Sequence, residues 1–455
     1  MIKQIISDLY KLDRKIMGEG YNQALEYINN IIPLKIYDFP TGIEVGTWKV
    51  PQEWIAKEAW VKFRGKKIID LKNNPLHLLG YSLPFQGKVK LEELKKHFWI
   101  SDERPDAIPY ECRFYERNWG FCVSKNWLFE KPLCENGVCH PELKSIDPEI
   151  GKVKIEGQKE ELKCKLKEGE YEIFIDTEFR DGIMKVGEHI IKGSSDREII
   201  IAVHLDHPYQ ANDNLSAVAM AIDLAGKLKC NHTIKIIFCP ETIGSIVYAL
   251  TQDLSKVDFM IGAECVGGRE EIYIQKSFDE RNLINYWLHL AVAGKGIDNK
   301  RGQFRTMLGG EEYVFSDPQL GIPSILITRF LTKHDSPYPE YHTSDDTPDI
   351  IKEGQIEKVE QVIMNLIDIA EKDFVPIKGF RGPLFRSRFG VQIPNKQYCR
   401  QMDYLFYLID GQRSLAQIVS ELGLNFQYTY ELCKKLQAEN LLLDFGKKRQ
   451  QAAGK

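Results

Sequence analysis

The stretch EIIIAVHLDHPYQANDNLSAVAMAIDLAGKL, residues 198–228, decides the fold class of this 455-residue chain. It opens with a short β-branched apolar run and closes with a longer apolar run rich in Ala and Leu. A polar loop that contains several His and Asp residues separates the two. The pattern predicts a buried strand, a loop that carries functional side chains, and a helix.

The same alternation of strand and helix runs through much of the chain. Helices that alternate with strands are typical of an α/β sheet covered by helices on both faces. The other runs are YEIFIDT (171–177), TIKIIFC (233–239), TIGSIVYALTQDL (242–254), VDFMIGAEC (257–265), an amphipathic run near 281–292, PSILITRF (323–330) and a helix over 353–371. We therefore predict an α/β domain.

Two other regions have a different sequence pattern. Residues 46–167 are punctuated by Trp, Pro and Gly and contain short alternating runs, which predicts a separate β-rich unit. In the last segment, 376–455, Ser414 and Gln417 fit a capping box, and Gly423 and Asn425 fit the end of that helix and the cap of the next. Two short helices followed by an apolar strand predict a winged-helix domain.

Composition excludes several classes of protein. Apolar residues make up 43% of the chain and charged residues 28%, as in globular proteins. The net charge of −4 excludes a uniformly basic polyanion binder, although 378–455 alone carries 13 basic against 6 acidic residues. No run is apolar and long enough to cross a membrane, and the N-terminus does not resemble a signal peptide, so we expect a cytoplasmic protein.

The ten cysteines do not form a dense disulfide framework, and we expect most of them to be free thiols. The tightest group is CENGVCH, residues 134–140. It lacks a second ligand pair at zinc-finger spacing, which makes a zinc site there the weaker interpretation.

The first chemical cluster is the loop HLDHPYQANDN. His204, His207 and Asp213 offer imidazole and carboxylate ligands of the kind that zinc prefers, and Asp206 can orient a ligating histidine. The alternative is that Asp213 only caps the helix that follows and that the histidines are polar loop residues.

Acidic residues follow the next two predicted strands. Glu241 comes after TIKIIFC, where a glutamate can take a proton from a metal-bound water. Its alternative role is to favour the dipole of the following helix. Glu264 ends VDFMIGA, and His342 lies in the late polar loop YHTSDDT.

The stretch LGGEEYVFSDPQLGIP places Glu311 and Glu312 before the last predicted strand. Carboxylates near a hydrolytic metal can hold a substrate ammonium group. A solvated acidic turn explains the same residues equally well.

The order of these motifs resembles the M28 family of zinc aminopeptidases. A closer resemblance, over nearly the whole chain, is to the aminopeptidase-like family found near polysaccharide biosynthesis genes, described by DUF4910 with an inserted DUF2172 domain and a C-terminal winged helix. The motifs that carry it are VPQEW, DAIPYECRFYERNWGFC, HPYQANDNLS, PETIGS and YPEYHTSDD.

The resemblance implies a three-layer mixed-sheet zinc-peptidase core of the phosphorylase/hydrolase type. The implied aminopeptidase domain is discontinuous, over 1–45 and 168–375, with the β-rich insert at 46–167 and the winged helix at 376–455. It further implies a small peptide or amide substrate, and the extra domains favour a homo-oligomer.

Carried over residue by residue, the resemblance implies that His204 and His342 bind metal, that Asp213 binds or bridges, and that Glu241 is the general base. Glu264 falls where M28 peptidases carry a metal-binding aspartate. Those peptidases have two adjacent glutamates, the second a zinc ligand, whereas Thr242 follows Glu241 here.

The loss of that carboxylate predicts one firmly held zinc and a second that is weak or absent. His207 stays an open candidate for a replacement ligand. The predicted function is a zinc-dependent aminopeptidase-type hydrolase. The alternative is a binding or regulatory protein with a degenerate site, whose basic winged helix contacts nucleic acid or protein.

Overall fold

The structure is a computed structural model, and it describes residues 1–130, 163–294, 296–297, 299–306, 309–330, 336–391 and 396–444. The CENGVCH segment lies outside the described residues. The helices are α1 (Ile2–Tyr10), α2 (Glu19–Asn29), α3 (Leu91–Leu94), α4 (Lys125–Leu128), α5 (Leu215–Lys227), α6 (Ile243–Thr251), α7 (Leu283–Ala293), α8 (Glu311–Phe315), α9 (Glu353–Lys372), α10 (Lys396–Leu408), α11 (Leu415–Leu422) and α12 (Phe426–Ala438).

The strands are β1 (Lys35–Pro40), β2 (Glu44–Val45), β3 (Trp48–Lys49), β4 (Glu53–Phe63), β5 (Lys66–Asp70), β6 (Phe85–Lys90), β7 (Phe98–Trp99), β8 (Phe121–Cys122), β9 (Glu170–Arg180), β10 (Ile183–Ile191), β11 (Glu198–His204), β12 (Thr233–Cys239), β13 (Val257–Glu264), β14 (Ile272–Gln275), β15 (Asn299–Gly302), β16 (Ser324–Arg329), β17 (Pro376–Lys378) and β18 (Leu442–Asp444). Short 3-10 helices span Pro75–His77, Lys95–His97, Pro348–Ile350 and Arg386–Phe389.

The chain divides into two compact units. The first contains Met1–Glu53, Asp181–Tyr341 and Asp346–Lys455. The second contains Trp54–Arg180 together with the four residues His342–Asp345.

An eight-stranded mixed sheet organises the first unit, in the order β1-β10-β12-β11-β13-β16-β14-β15. Its centre, β12-β11-β13-β16, is parallel, and β10 and β14 pair antiparallel with this centre. The central strand β11 is buried along almost its whole length, as strands covered on both faces are. The predicted α/β class with a mixed sheet is confirmed.

Alternate residues of β11 belong to different faces of the sheet. Ile199 and Ile201 join the core cluster with residues of α1, α5 and α9, whereas Ile200 and Ala202 are buried outside that cluster. Gly262 of β13 lies close to the neighbouring strand β16, since a Cβ there would lie 3.2 Å from Cδ1 of Leu326 and 3.3 Å from the Ile325 carbonyl oxygen.

The second unit contains a four-stranded sheet, in the order β5-β4-β9-β6, in which β5 pairs antiparallel with β4 and β6 pairs antiparallel with β9. The run YEIFIDT was expected in the α/β sheet, but it lies in β9 and pairs with β6, so that expectation was wrong. Buried and partly exposed residues alternate along β9, as in a strand with only one covered face. The strands of the α/β sheet are instead covered on both faces, as β11 is. The predicted boundary of the insert, 46–167, thus differs from the compact unit Trp54–Arg180.

The C-terminal segment is grouped with the first unit. The capping box of Ser414 and Gln417 is present, Gly423 ends α11 in the left-handed region at φ 62°, and the Asn425 side chain caps α12. Asp373, at the end of α9, accepts bonds from the indole of Trp287 in α7 and from the Ala416 backbone in α11. These contacts tie α11 to the helices of the α/β layer.

Among the described residues, no helix combines the length and the apolar character that a membrane span requires.

Candidate metal centre

The candidate centre lies at the carboxyl ends of three neighbouring parallel strands. His204 is the last residue of β11, and Glu264 is the last residue of β13. Glu241 follows the end of β12 by two positions. Ligand sites in open α/β sheets form at this edge, and the topology brings together three of the residues singled out in the sequence.

Asp213 forms the middle of the site. Its Oδ1 lies 2.9 Å from Nε2 of His204, and its Oδ2 lies 3.0 Å from Nδ1 of His207. All three side chains are buried. Burial alone would lower the pKa of His204, but bonds with Asp213 and Glu311 outweigh it and raise that pKa well above its usual range. Both oxygens of Asp213 therefore face an imidazole nitrogen.

The structure does not give Asp213 the capping role that its position before a helix allows. The N-cap of α5 is Asn214, and its side chain makes no capping bond. Instead its amide donates to the Ala263 carbonyl at 3.0 Å and accepts a bond from the Cys265 backbone at 3.0 Å. The start of α5 is thereby fastened to the end of β13. The peptide bond between Asp213 and Asn214 is cis.

Glu241 is the member of the site most open to solvent, with 31% of its side chain exposed. Its Oε2 lies 3.2 Å from Nε2 of His207, and its backbone N–H donates to Oδ1 of Asp206 at 2.8 Å. Burial raises the pKa of Glu241, but the bond with His207 and the charges of His207 and His204 together outweigh that effect and lower it. A carboxylate that is ionised and reachable from solvent can accept a proton.

Two buried glutamates, Glu264 and Glu311, lie beside Asp213 and His204 respectively. Oε2 of Glu264 and Oε1 of Glu311 are enclosed and have no hydrogen-bond partner. The other oxygen of Glu311 lies 3.6 Å from Nδ1 of His204. Burial raises the pKa of Glu264 well above its usual range. Buried polar atoms without a partner are rare in native proteins, and those that occur often belong to the binding site of an ion.

Gly310 brings the start of α8 against Glu264. A Cβ at that position would lie only 2.9 Å from Oε2 of Glu264. Glu312, the next acid of α8, accepts bonds from the Gln275 side chain at 2.9 Å and the Gly310 backbone at 3.0 Å. Burial raises the pKa of Glu312 to about 7. Both glutamates of the predicted pair are thus buried, and only Glu311 keeps an oxygen without a partner.

Asp346 is a part of the site that the sequence did not single out. It is fully buried and accepts bonds from the backbones of Asn212 at 2.8 Å and Asp213 at 3.2 Å, and from the Tyr338 hydroxyl at 2.7 Å. Burial raises its pKa to about 7. Its position in the YHTSDDT motif was the available signal, because a polar run near a predicted ligand contains residues that support it.

His342 is described with the second unit. Its carbonyl accepts a bond from the Tyr110 backbone at 2.7 Å, and its ring meets the Tyr110 ring edge-on at 5.3 Å between centroids. Its φ of 50° and the φ of 57° at Thr242 lie in the left-handed region. Thr242, which stands where the M28 pattern has its second glutamate, is the N-cap of α6.

Within the described parts of the chain, two groups of three residues hold their ligand atoms within 4.8 Å of one another. One is His204, His207 and Asp213, and the other is Asp213, Glu264 and Cys265. Asp213 belongs to both groups. The His, Asp and Glu donors together with the unpartnered oxygen of Glu264 suit zinc, so the residues present fit this metal.

Comparisons with known proteins show which family and which relatives the chain matches. The family profile described as a domain of unknown function, DUF4910, matches residues 3–373. A protein of Clostridium acetobutylicum described as a polysaccharide biosynthesis protein with an aminopeptidase-like domain is 28% identical over 442 residues, which are 94% of this chain and 92% of that protein.

Solved structures share the fold. A crystal structure from Clostridium acetobutylicum, named as a peptidase, is 25% identical with a TM-score of 0.75 and covers 97% of this chain and 96% of its own. A zinc aminopeptidase of Bacillus subtilis is 12% identical with a TM-score of 0.56, over 81% and 94%. An M28 peptidase precursor of Shewanella amazonensis is 15% identical with a TM-score of 0.53, over 80% and 92%.

Proposed function

The chain belongs to the DUF4910 family, and from this premise we propose that it is a zinc-dependent hydrolase of aminopeptidase type. It cleaves a peptide or amide bond next to a free amine. The observation that carries the proposal is that two buried groups of ligand atoms, one with His204 and one with Glu264, share Asp213 and lie beside the more exposed carboxylate of Glu241.

His204, Asp213 and Glu264 are the residues that would hold the zinc. Their burial and the unpartnered oxygen of Glu264 both favour a bound cation, since a buried carboxylate without a partner is costly. When bound, zinc polarises the scissile carbonyl and acidifies the attacking water. Asp346 supports the set by accepting the Asp213 backbone N–H.

Glu241 acts as the general base. Its carboxylate accepts the proton of the attacking water and returns it to the leaving amine. Asp206 holds the Glu241 backbone, and His207 holds its side chain, so both neighbours fix the direction of the carboxylate. Asp206 thus serves catalysis through the position of Glu241.

Glu311 is the better of the two predicted contacts for the substrate amine. Its Oε1 has no hydrogen-bond partner, whereas both oxygens of Glu312 already accept bonds from Gln275 and Gly310. A carboxylate with a free acceptor position can take an N–H from an ammonium group.

One zinc per chain follows from the replacement of the second glutamate by Thr242. The two ring nitrogens of His207 contact Oδ2 of Asp213 and Oε2 of Glu241, which favours a role for His207 in orienting these two carboxylates. The role of His342 as a ligand rests on the resemblance to the M28 family, and its replacement by Ala tests that role through zinc content.

The test of the function combines metal analysis with hydrolysis of a panel of aminoacyl amides and short peptides. Purified wild type is expected to hold about one zinc and to release the amine from some of them. Glu241→Gln keeps the zinc and loses about 10²–10⁴-fold in rate, the usual contribution of a general base. A zinc-loaded wild type that is inert toward the whole panel contradicts the proposal, and unchanged hydrolysis by Glu241→Gln removes the glutamate from the mechanism.

A further inference from the structure

Arg14 lies between α1 and α2, far along the chain from the candidate centre, and its side chain is completely buried. A guanidinium group has five N–H donors in a rigid plane. The acceptors of the Arg14 guanidinium are backbone carbonyls of Leu9 at 3.1 Å, Leu205 at 2.5 Å, Asp206 at 2.8 Å, His207 at 2.7 Å and Gln210 at 3.0 Å.

Four of these carbonyls belong to one loop, residues 205–210, which connects His204 to the segment of Asp213. We call it the ligand loop. Buried carbonyls need a hydrogen-bond donor, and here one cation satisfies four of them. A single side chain from a remote part of the sequence thus contacts four of the six residues of the loop.

Two residues of the ligand loop have strained backbone conformations. His207 and Tyr209 have φ angles of 68° and 60°, in the left-handed region where residues with a side chain are strained. Such conformations persist only where the surroundings impose them. The contacts of Arg14 with the carbonyls of His207 and of Gln210, on either side of Tyr209, supply that constraint.

Two of the residues whose carbonyls accept hydrogen bonds from Arg14 also contact Glu241. Asp206 accepts the Glu241 backbone N–H at 2.8 Å, and the His207 ring lies 3.2 Å from its carboxylate. We infer that Arg14 is a positioning residue, which sets the ligand loop and, through Asp206 and His207, the general base. This inference rests on the proposed function.

The experiment compares wild type, Arg14→Lys and the control Leu366→Ala. Lys keeps the positive charge but has fewer donors and no planar fork. Leu366 is fully buried in α9, and its replacement weakens the core without changing the ligand loop. Melting curves of the metal-free proteins establish that each variant is folded.

Hydrogen exchange of the metal-free proteins measures the loop itself. Arg14→Lys is expected to speed exchange in a peptide that covers 203–213 by about tenfold or more, beyond any change elsewhere in the protein. Leu366→Ala is expected to lack this local increase. Equal exchange of that peptide in wild type and Arg14→Lys overturns the inference.

Zinc affinity and turnover then measure the effect on the centre. In Arg14→Lys, zinc affinity or kcat falls by about 10–100-fold, as for other residues that support metal ligands. Leu366→Ala stays within about twofold of wild type. The inference is overturned if Arg14→Lys lowers the melting temperature but leaves zinc affinity and kcat unchanged. It is also overturned if Leu366→Ala loses as much zinc affinity or kcat as Arg14→Lys, because Arg14 then has a purely structural role.

A rescue variant separates positioning from general damage. Tyr209→Gly removes a side chain from a left-handed position, and glycine adopts that φ without strain. Combined with Arg14→Lys, it is expected to restore part of the zinc affinity, whereas no recovery contradicts a loop held against strain. A wild type that binds no zinc contradicts the proposed function. Hydrogen exchange of the peptide 203–213 still decides in that case whether Arg14 holds the ligand loop.

Discussion

The two sides of the candidate centre are both buried, but they differ in how many of their carboxylate oxygens have a hydrogen-bond partner. On the histidine side, His204, His207 and Asp213, each carboxylate oxygen faces a ring nitrogen at 2.9 or 3.0 Å. On the glutamate side, Glu264, Glu311 and Glu312, two enclosed oxygens have no hydrogen-bond partner. In the metal-free protein the carboxylate oxygens of the histidine side are paired with ring nitrogens, whereas two oxygens of the glutamate side are left for a cation that the chain does not supply.

The difference has its origin in the sequence. The histidine side comes from one loop after β11, so its members are neighbours along the chain. The glutamate side joins the end of β13 to the start of α8, which meet where Gly310 permits the approach. Substitutions on the two sides are therefore expected to behave differently with and without metal.

The largest effect is expected for Asp213→Asn, because Asp213 belongs to both ligand groups. Zinc binding energies of about 10–16 kcal/mol, shared among four ligands, give roughly 3 kcal/mol or ~100-fold in affinity for one ligand. The metal-free protein also loses about 1–3 kcal/mol in its free energy of unfolding, since the bonds with His204 and His207 are impaired. Chelator competition and denaturant titration measure the two effects.

Glu264→Gln is expected to lower zinc affinity by a similar factor but to leave the metal-free protein within about 1 kcal/mol of wild type. The reason is that Oε2 of Glu264 has no hydrogen bond to lose. A metal-free Glu264→Gln protein destabilised as much as metal-free Asp213→Asn would remove the distinction between the two sides.

A smaller effect is expected in the pH dependence of stability. Burial raises the pKa of Glu312 from 4.5 to about 7, so its contribution to stability is complete below pH 4.5 and disappears as the pH rises toward 7. Replacement by Gln is expected to flatten the fall in the unfolding free energy of the metal-free protein over that window, by about 1–3 kcal/mol. Denaturant titrations at several pH values measure the slope, and an unchanged slope contradicts a buried, neutral Glu312.

The smallest change is expected for Thr242→Glu, which restores the acid of the M28 pattern. The φ of 57° at this position is unfavourable for a β-branched residue, so an unbranched glutamate is tolerated. Zinc content is expected to rise above one per chain at saturating metal. A content that stays at one means that the missing carboxylate is not what limits the second metal.

Local sequence patterns predicted much of the fold. The capping box of Ser414 and Gln417 and the cap at Asn425 depend on residues three positions apart, and each is present. The continuous apolar run of β11 predicted a strand covered on both faces. The run in β9 was assigned to the wrong sheet, because strand pairing depends on partners that lie far away in the sequence.

In the candidate site, too, contacts between residues far apart in the sequence could not be predicted. His204, His207 and Asp213 were predictable because one loop contains all three. The roles of Arg14 and Asp346 were not, since their partners Leu205 and Asn212 lie 191 and 134 positions away. The YHTSDDT motif marks Asp346 as a residue near a predicted ligand, but no sequence pattern indicates which distant backbone groups Asp346 or Arg14 bonds to.

The proposed centre is tested most directly by the position of the metal in a crystal of the zinc-loaded protein, measured by anomalous scattering at the zinc absorption edge. We expect one strong peak between Asp213 and Glu264, at about 2.0–2.2 Å from a carboxylate oxygen of each and from a ring nitrogen of His204. A peak elsewhere, or zinc-soaked crystals in which Glu264 remains without a metal, would contradict the proposed centre.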